Sequence, residues 1–202
     1  MTAVVVPFQG PEGKTRLHES RRTRRALALA MLGDVLAACS SVGETTLVTG
    51  DEEAGALAAE LSVGTADDPG DGQAAAVASA LEGVEPGGIL IVNADVPCVV
   101  PHDLRALLAA TPAGGIALVE ALDGTTNALS LPSPDVFAPL YGRDSAARFR
   151  AHARELGLEA VPAAIPNLVD DVDTMDDLRR VQLRAGPRTQ AALAELPAEA
   201  LS

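Results

Sequence analysis

Along the chain, short β-branched apolar runs alternate with longer stretches in which apolar side chains recur every three or four positions. Residues 3–6 form the first such run, closed by Pro7 and followed by the Gly/Pro-containing loop 8–13. The segment 19–38 then carries Ala28, Met31, Leu32, Val35 and Leu36 on one helical stripe. Residues 45–49 predict a second strand stopped at Gly50, and residues 51–61 a helix that Asp51 is placed to cap. After a short run at 63–65 and a loop at 66–72, Gln73–Leu81 predicts an Ala-rich helix. Residues 88–92 are continuously apolar, the pattern of a strand buried on both faces. Segments Pro101–Ala110, 144–156 and 174–185 predict further helices, 116–119 a strand, and 187–202 a weakly helical tail. This alternation predicts an α/β protein, a mainly parallel sheet covered by helices on both faces. One domain is expected over 1–185, with a tail over 186–202.

Sheets of this kind bind ligands outside the carboxyl ends of their strands. The loops there hold Lys14, Gly50, residues 67–72, Asp95, residues 123–127 and residues 170–173. Most of the chain's candidate chemistry is therefore expected on one rim.

Composition narrows the partners. A net charge of −13 leaves no broad basic surface for duplex DNA or anionic lipid, and 2% aromatic residues offer no stacking platform for single strands. Cys39 and Cys98 form no CxxC and cannot make a zinc site alone. The apolar run at 4–6 is too short for a secretory leader. The segment 26–39 is interrupted by Gly33 and Asp34 and reads as an amphipathic helix. A cytoplasmic protein acting on small molecules is expected, without nucleic-acid or membrane partners; assembly as a homodimer stays open.

Six of the 15 basic residues crowd into positions 14–25, and Lys14 is the sole lysine. Arg21, Arg22, Arg24 and Arg25 read as the solvated start of a helix. Lys14 and Arg16 sit in the loop before it, where backbone N–H groups and the positive helix end favour an anion. A compact ammonium there suits phosphate.

Two acidic groups complement it. Asp95 directly follows the buried run 88–92, where an ionised side chain needs donors or a cation; a turn cap and a metal ligand are both open readings. Asp170, Asp171, Asp173, Asp176 and Asp177 fall within eight residues, more than capping of the helix from Thr174 requires. Carboxylates from two distant loops on one rim suit Mg²⁺, which takes one or two carboxylates plus substrate phosphates. Together with a phosphate-binding lysine, they point to phosphoryl or nucleotidyl transfer.

Several stretches carry a family resemblance: Gly13-Lys14-Thr15-Arg16-Leu17, Asn93-Ala94-Asp95-Val96-Pro97, Asp123-Gly124-Thr125-Thr126-Asn127-Ala128-Leu129, Tyr141-Gly142 with Ser145, and Asp171-Val172-Asp173-Thr174. With them the chain resembles the guanylyltransferases that activate 2-phospho-L-lactate or phosphoenolpyruvate with GTP in coenzyme F420 biosynthesis. The resemblance implies a three-layer α/β/α nucleotide-diphospho-sugar transferase fold of the GT-A-like kind. It implies that Asp95 and Asp173 hold Mg²⁺ with Asp171 as helper, and that Lys14 and Arg16 meet the GTP phosphates. Thr126, Asn127, Gly142 and Ser145 would surround the phosphorylated three-carbon acid. Gly72 and Gln73 would lie beside the nucleotide.

Two positions differ from that family's usual pattern. Gln9 stands where a second lysine is common, and Gly72-Gln73-Ala74 stands where Gly-Leu-Asn is common. A nucleotidyltransferase for another phosphorylated acceptor, of the molybdenum-cofactor or sugar-phosphate type, therefore remains an alternative. So does a non-catalytic nucleotide-binding module. His18, His102 and His152 have no evident nucleophile or acid partner in the sequence, which argues against a nucleophilic hydrolase.

Overall fold

The computed structural model describes residues 2–10 and 20–196. Lys14 and Arg16 lie outside the described residues.

The described residues form a seven-stranded sheet in the order β3-β2-β1-β4-β6-β5-β7. Within it, β1 (Ala3–Pro7) is paired in parallel with β2 (Glu44–Val48) and with the central strand β4 (Ile89–Val92). Outside β2 lies β3 (Gly64–Ala66), also parallel. On the other side, β6 (Thr126–Leu131) runs antiparallel between β4 and β5 (Ile116–Glu120), and β7 (Ala160–Pro162) pairs in parallel with β5. A mainly parallel sheet, as expected, thus contains one reversed strand.

Alternating side chains of the central strands feed two separate cores. Val4, Val6, Leu90 and Val92 pack with α1 (Arg21–Ser40), α2 (Glu52–Glu60) and α4 (Pro101–Ala110). Val5, Ile89 and Ile91 pack on the opposite face with α3 (Gln73–Leu81) and α5 (Ser145–Glu155). Both faces of β4 are consequently buried, which accounts for its unbroken apolar run. Short α6 (Pro166–Val169) covers the first core, and Pro134–Val136 form a 3-10 turn.

A third cluster joins Leu27 and Met31 of α1 to Leu178 and Val181 of α7 (Met175–Val181) and Leu193 of α8 (Pro187–Ala194). Asp34, an acid on the otherwise apolar stretch of α1, is 6% exposed and caps α8: its carboxylate accepts the Arg188 and Thr189 backbone N–H groups at 3.0 and 2.8 Å. Gly186 makes this approach possible, because a Cβ there would collide with the Asp34 side chain. Cys39 and Cys98 are free and buried.

Strands β6 and β7 were not predicted by the hydrophobic pattern. The loop expected over 123–127 ends earlier than the sequence implies: Thr126 and Asn127 open a strand buried along its whole length. β7 is three residues long, too short for an alternation to register.

Candidate active site

The rim at the carboxyl ends of β1 and β4 carries the site. Chain leaving β4 passes directly into Asn93, Ala94 and Asp95, and the segment before α7 is stitched to it: Val172 N–H donates to the Asp95 carbonyl at 3.0 Å. That backbone bond brings together positions nearly eighty residues apart. Ligand oxygens of Asp95, Asp171 and Asp173 consequently lie within 4.8 Å of one another.

The acids before and within α7 divide by role. Asp170 pairs with Arg180 and Arg184, and Asp176 with Arg179. Asp177 completes a capping box: Thr174 Oγ1 accepts its N–H at 3.2 Å, and its carboxylate accepts the Thr174 N–H at 2.8 Å. Asp171 and Asp173 are the two that approach Asp95.

Burial, reinforced by the negative charges of Asp95 and Asp173, pushes the Asp171 carboxyl up to about 6, against the opposing effect of hydrogen bonds from its own backbone and from Asn127. Three like charges gathered in partial burial are an unfavourable arrangement on their own. The donor set is all hard oxygen, with no thiolate or imidazole in the cluster. It fits a hard divalent cation such as Mg²⁺.

Beside this cluster opens a cavity of about 240 Å³ walled by Phe8, Met31, Gln73, Asn93, Asp95 and Asp173, among others. A neighbouring depression shares Gln9 and Gly10 with it and is bounded by Arg21, Arg25, Asp51 and Asp68. Arg25 is tied there to Asp51 and Glu53, at 2.9 and 2.7 Å.

The residues expected around a phosphorylated acid fall into two groups. Thr126 and Ser145 are 1% and 0% exposed, and Ser145 Oγ donates to Thr126 Oγ1 at 3.1 Å, docking the start of α5 on the start of β6. Gly142, at φ +104°, accepts the Ser145 N–H at 3.1 Å and forms the turn leading into α5. Asn127 is also 1% exposed, and its amide donates to the Val169 carbonyl at 3.1 Å and to Asp171 at 3.4 Å. Gly72, at φ +90°, is the N-cap of α3, and Gln73 begins the helix at the cavity wall. Asn93 and Met31 were not singled out from the sequence as site residues. Asn93 had a readable signal, a polar residue ending a buried strand two places before Asp95; Met31 belongs to the apolar stripe of α1 and read as core.

A family profile described as "Guanylyl transferase CofC like" matches residues 2–193. The chain belongs to this family. Among relatives of the CofC-like guanylyl transferases, it is 38% identical over 207 residues to the phosphoenolpyruvate guanylyltransferase of Streptomyces coelicolor, covering 96% of each chain. It is also 38% identical over 200 residues to the Nocardia farcinica protein of the same name, covering 92% of this chain and 87% of that one. Among solved structures, a putative nucleotide-diphospho-sugar transferase from Desulfovibrio desulfuricans superposes with a TM-score of 0.75 at 18% identity, over 96% of this chain and 94% of that one. The CofC-like family member described here therefore shares the nucleotide-diphospho-sugar transferase fold. No helix among the described residues is long and apolar enough to cross a membrane.

Proposed function

We propose that this chain transfers GMP from GTP to phosphoenolpyruvate, releasing pyrophosphate, as a step in coenzyme F420 biosynthesis in the cytoplasm. The carrying observation is the convergence of Asp95, Asp171 and Asp173 beside a cavity at the strand ends, in a chain of the guanylyl transferase family. Phosphoenolpyruvate is chosen over 2-phospho-L-lactate because the relatives reported above are named for it.

The chemistry asks little of side-chain bases. A phosphate oxygen of the acceptor, already anionic, attacks the α-phosphorus of GTP; the bond from that phosphorus to the β-bridging oxygen breaks, and pyrophosphate leaves with the electron pair. No proton has to be removed, so alignment and charge neutralisation supply the acceleration. Mg²⁺, when bound, would neutralise phosphate charge and help fix the geometry of the transfer. Asp95 and Asp173 would hold it, with Asp171 as a further carboxylate. Lys14 and Arg16, assigned from the sequence, would meet the phosphates. Asn127 orients Asp171 through its amide. Thr126 and Ser145, paired to each other, and Gly142 in the turn before them would shape the acceptor side.

Purified protein incubated with GTP, Mg²⁺ and either phosphoenolpyruvate or 2-phospho-L-lactate is expected to release pyrophosphate, faster with the former. Asp95→Ala and Asp173→Ala are each expected to abolish release while the circular dichroism spectrum is retained. No turnover by the wild type with either acid rejects the reading.

A further inference from the structure

The two acids that approach Asp95 lie in a short segment whose ends are both fastened to the region of α7. Before it, Asp170 Oδ1 accepts Arg180 Nε at 3.0 Å, and Asp170 Oδ2 accepts Arg184 Nη2. After it, Asp177 Oδ2 accepts the Asp173 N–H at 3.2 Å and the Thr174 N–H at 2.8 Å. The two fastenings meet at one side chain, because Arg180 Nη2 also donates to Asp177 Oδ1 at 2.9 Å. A single planar guanidinium thus bridges the carboxylate of residue 170 and the carboxylate that anchors residue 173. Asp171 and Asp173 are set between those anchors. Val172, between them, is fully buried in the third cluster, and its N–H reaches the Asp95 carbonyl at 3.0 Å.

The segment needs holding. Ligand oxygens of Asp95, Asp171 and Asp173 within 4.8 Å of one another repel when no cation lies between them, and an unheld segment relaxes by moving its two acids away. Folding stability is not the main use of the bridge. The Arg180 side chain is 41% exposed, and ion pairs with so open a member contribute little to stability. Removing a group that holds metal ligands in place, by contrast, typically lowers metal affinity by about 10- to 100-fold.

We infer that Arg180 is a positioning residue: by bridging Asp170 and Asp177 it holds Asp171 and Asp173 at the spacing a divalent cation requires. It acts through these carboxylates and not on the cation or the substrate. The inference rests on the metal-binding part of the reading above. Its sign separates it from a plain charge effect. Acting through charge alone, a guanidinium beside an acidic cluster disfavours a bound cation, so its removal tightens binding. Acting as a bridge, its removal loosens binding.

The test titrates Mn²⁺, a hard divalent probe, into the whole protein without nucleotide and follows the electron paramagnetic resonance signal of the free ion well below the melting temperature. Arg180→Ala is expected to raise the dissociation constant by about tenfold. Arg180→Lys keeps the charge but lacks the planar fork that serves two carboxylates at once, and is expected to fall between that variant and wild type. Arg150→Ala breaks a partly exposed ion pair with Glu120 on another helix and is expected to bind Mn²⁺ as wild type does. In turnover of GTP with phosphoenolpyruvate, the free Mg²⁺ concentration giving half the maximal rate should rise in Arg180→Ala, while kcat at saturating Mg²⁺ stays close to that of wild type. Unchanged or tighter Mn²⁺ binding in Arg180→Ala, or an equal weakening in Arg150→Ala, overturns the inference. Failure of the underlying reading looks different: the wild type itself binds no Mn²⁺. Melting curves recorded with chelator report separately any loss of folded protein.

Discussion

The carboxylate of Asp34 holds the backbone N–H of Thr189 at 2.8 Å, across 155 residues of sequence. It also holds the N–H of Arg188, so one acid on α1 satisfies two of the first amides of α8. Asp34→Ala leaves these amides without their partner in a buried setting. Hydrogen bonds to charged groups contribute about 1.5–3 kcal/mol, and a loss of that order is expected in urea denaturation. Asp34→Asn, which still accepts but is uncharged, is expected to lose roughly half as much.

Gly186 is coupled to the same contact. Gly186→Ala forces its new methyl group into Asp34 and is expected to destabilise by about 1–3 kcal/mol. An Asp34→Ala background removes the two nearest obstructing atoms, Cγ and Oδ1, but keeps the Cβ of residue 34 at 2.7 Å from the new methyl group, so only part of that cost should disappear. The double-mutant cycle reads this directly: an interaction term near zero would show that the crowding is relieved by another route.

The acidic cluster predicts stabilisation by divalent cations. With Asp95, Asp171 and Asp173 confined within 4.8 Å, a bound cation relieves mutual repulsion in the folded state only. At a Mg²⁺ concentration about ten times its dissociation constant, linkage gives ~1.4 kcal/mol, or about 3–6 °C in melting temperature for a chain this size. Asp173→Asn should abolish most of this shift in thermal melts with and without chelator.

The capping box before α7 has a pH signature. Burial pushes the Asp177 carboxyl up, but hydrogen bonds from Thr174, Asp173 and Arg180 outweigh it and hold the group below its ordinary value. Its stabilising contribution is therefore complete above the ordinary carboxylate pKa and is lost as pH falls through the lowered folded value. Thr174→Ala removes the strongest of those donors and one cap, at about 1 kcal/mol. Denaturation at pH 7 should show that loss, and the gap between the variant and wild type should narrow at pH 3.

The strand–helix rhythm was legible because each early unit satisfies a single period: Val4 to Val6 and residues 89–92 are uniformly apolar, and α1 carries its stripe at helical spacing. Asp95, Asp171 and Asp173 were legible as a group only through the family resemblance: position alone left Asp95 open between a turn cap and a ligand and did not separate Asp171 and Asp173 from Asp170, Asp176 and Asp177. Asp34 was not, since an acid interrupting an apolar helix looks the same whether it faces water or caps a helix far along the chain. The hydrogen bonds that join Gln73 to Asn93 and Asn93 to Asn127 were equally hidden, because the two asparagines are oriented by the backbone carbonyls of Thr126 and Val169, which no side-chain pattern encodes.

Strand β6 enters the sheet at the edge where its neighbours leave it, so its first residues, not its last, reach the ligand-facing end. Its pairing with β5 already shifts register between Val119 and Glu120. A single residue inserted or deleted in the hairpin between them would exchange the two sides of the strand, turning Asn127 away from Asp171 and breaking the link between sheet and acidic cluster. The hairpin is thus a length gauge, tolerant of changed side chains at its tip and intolerant of a changed count.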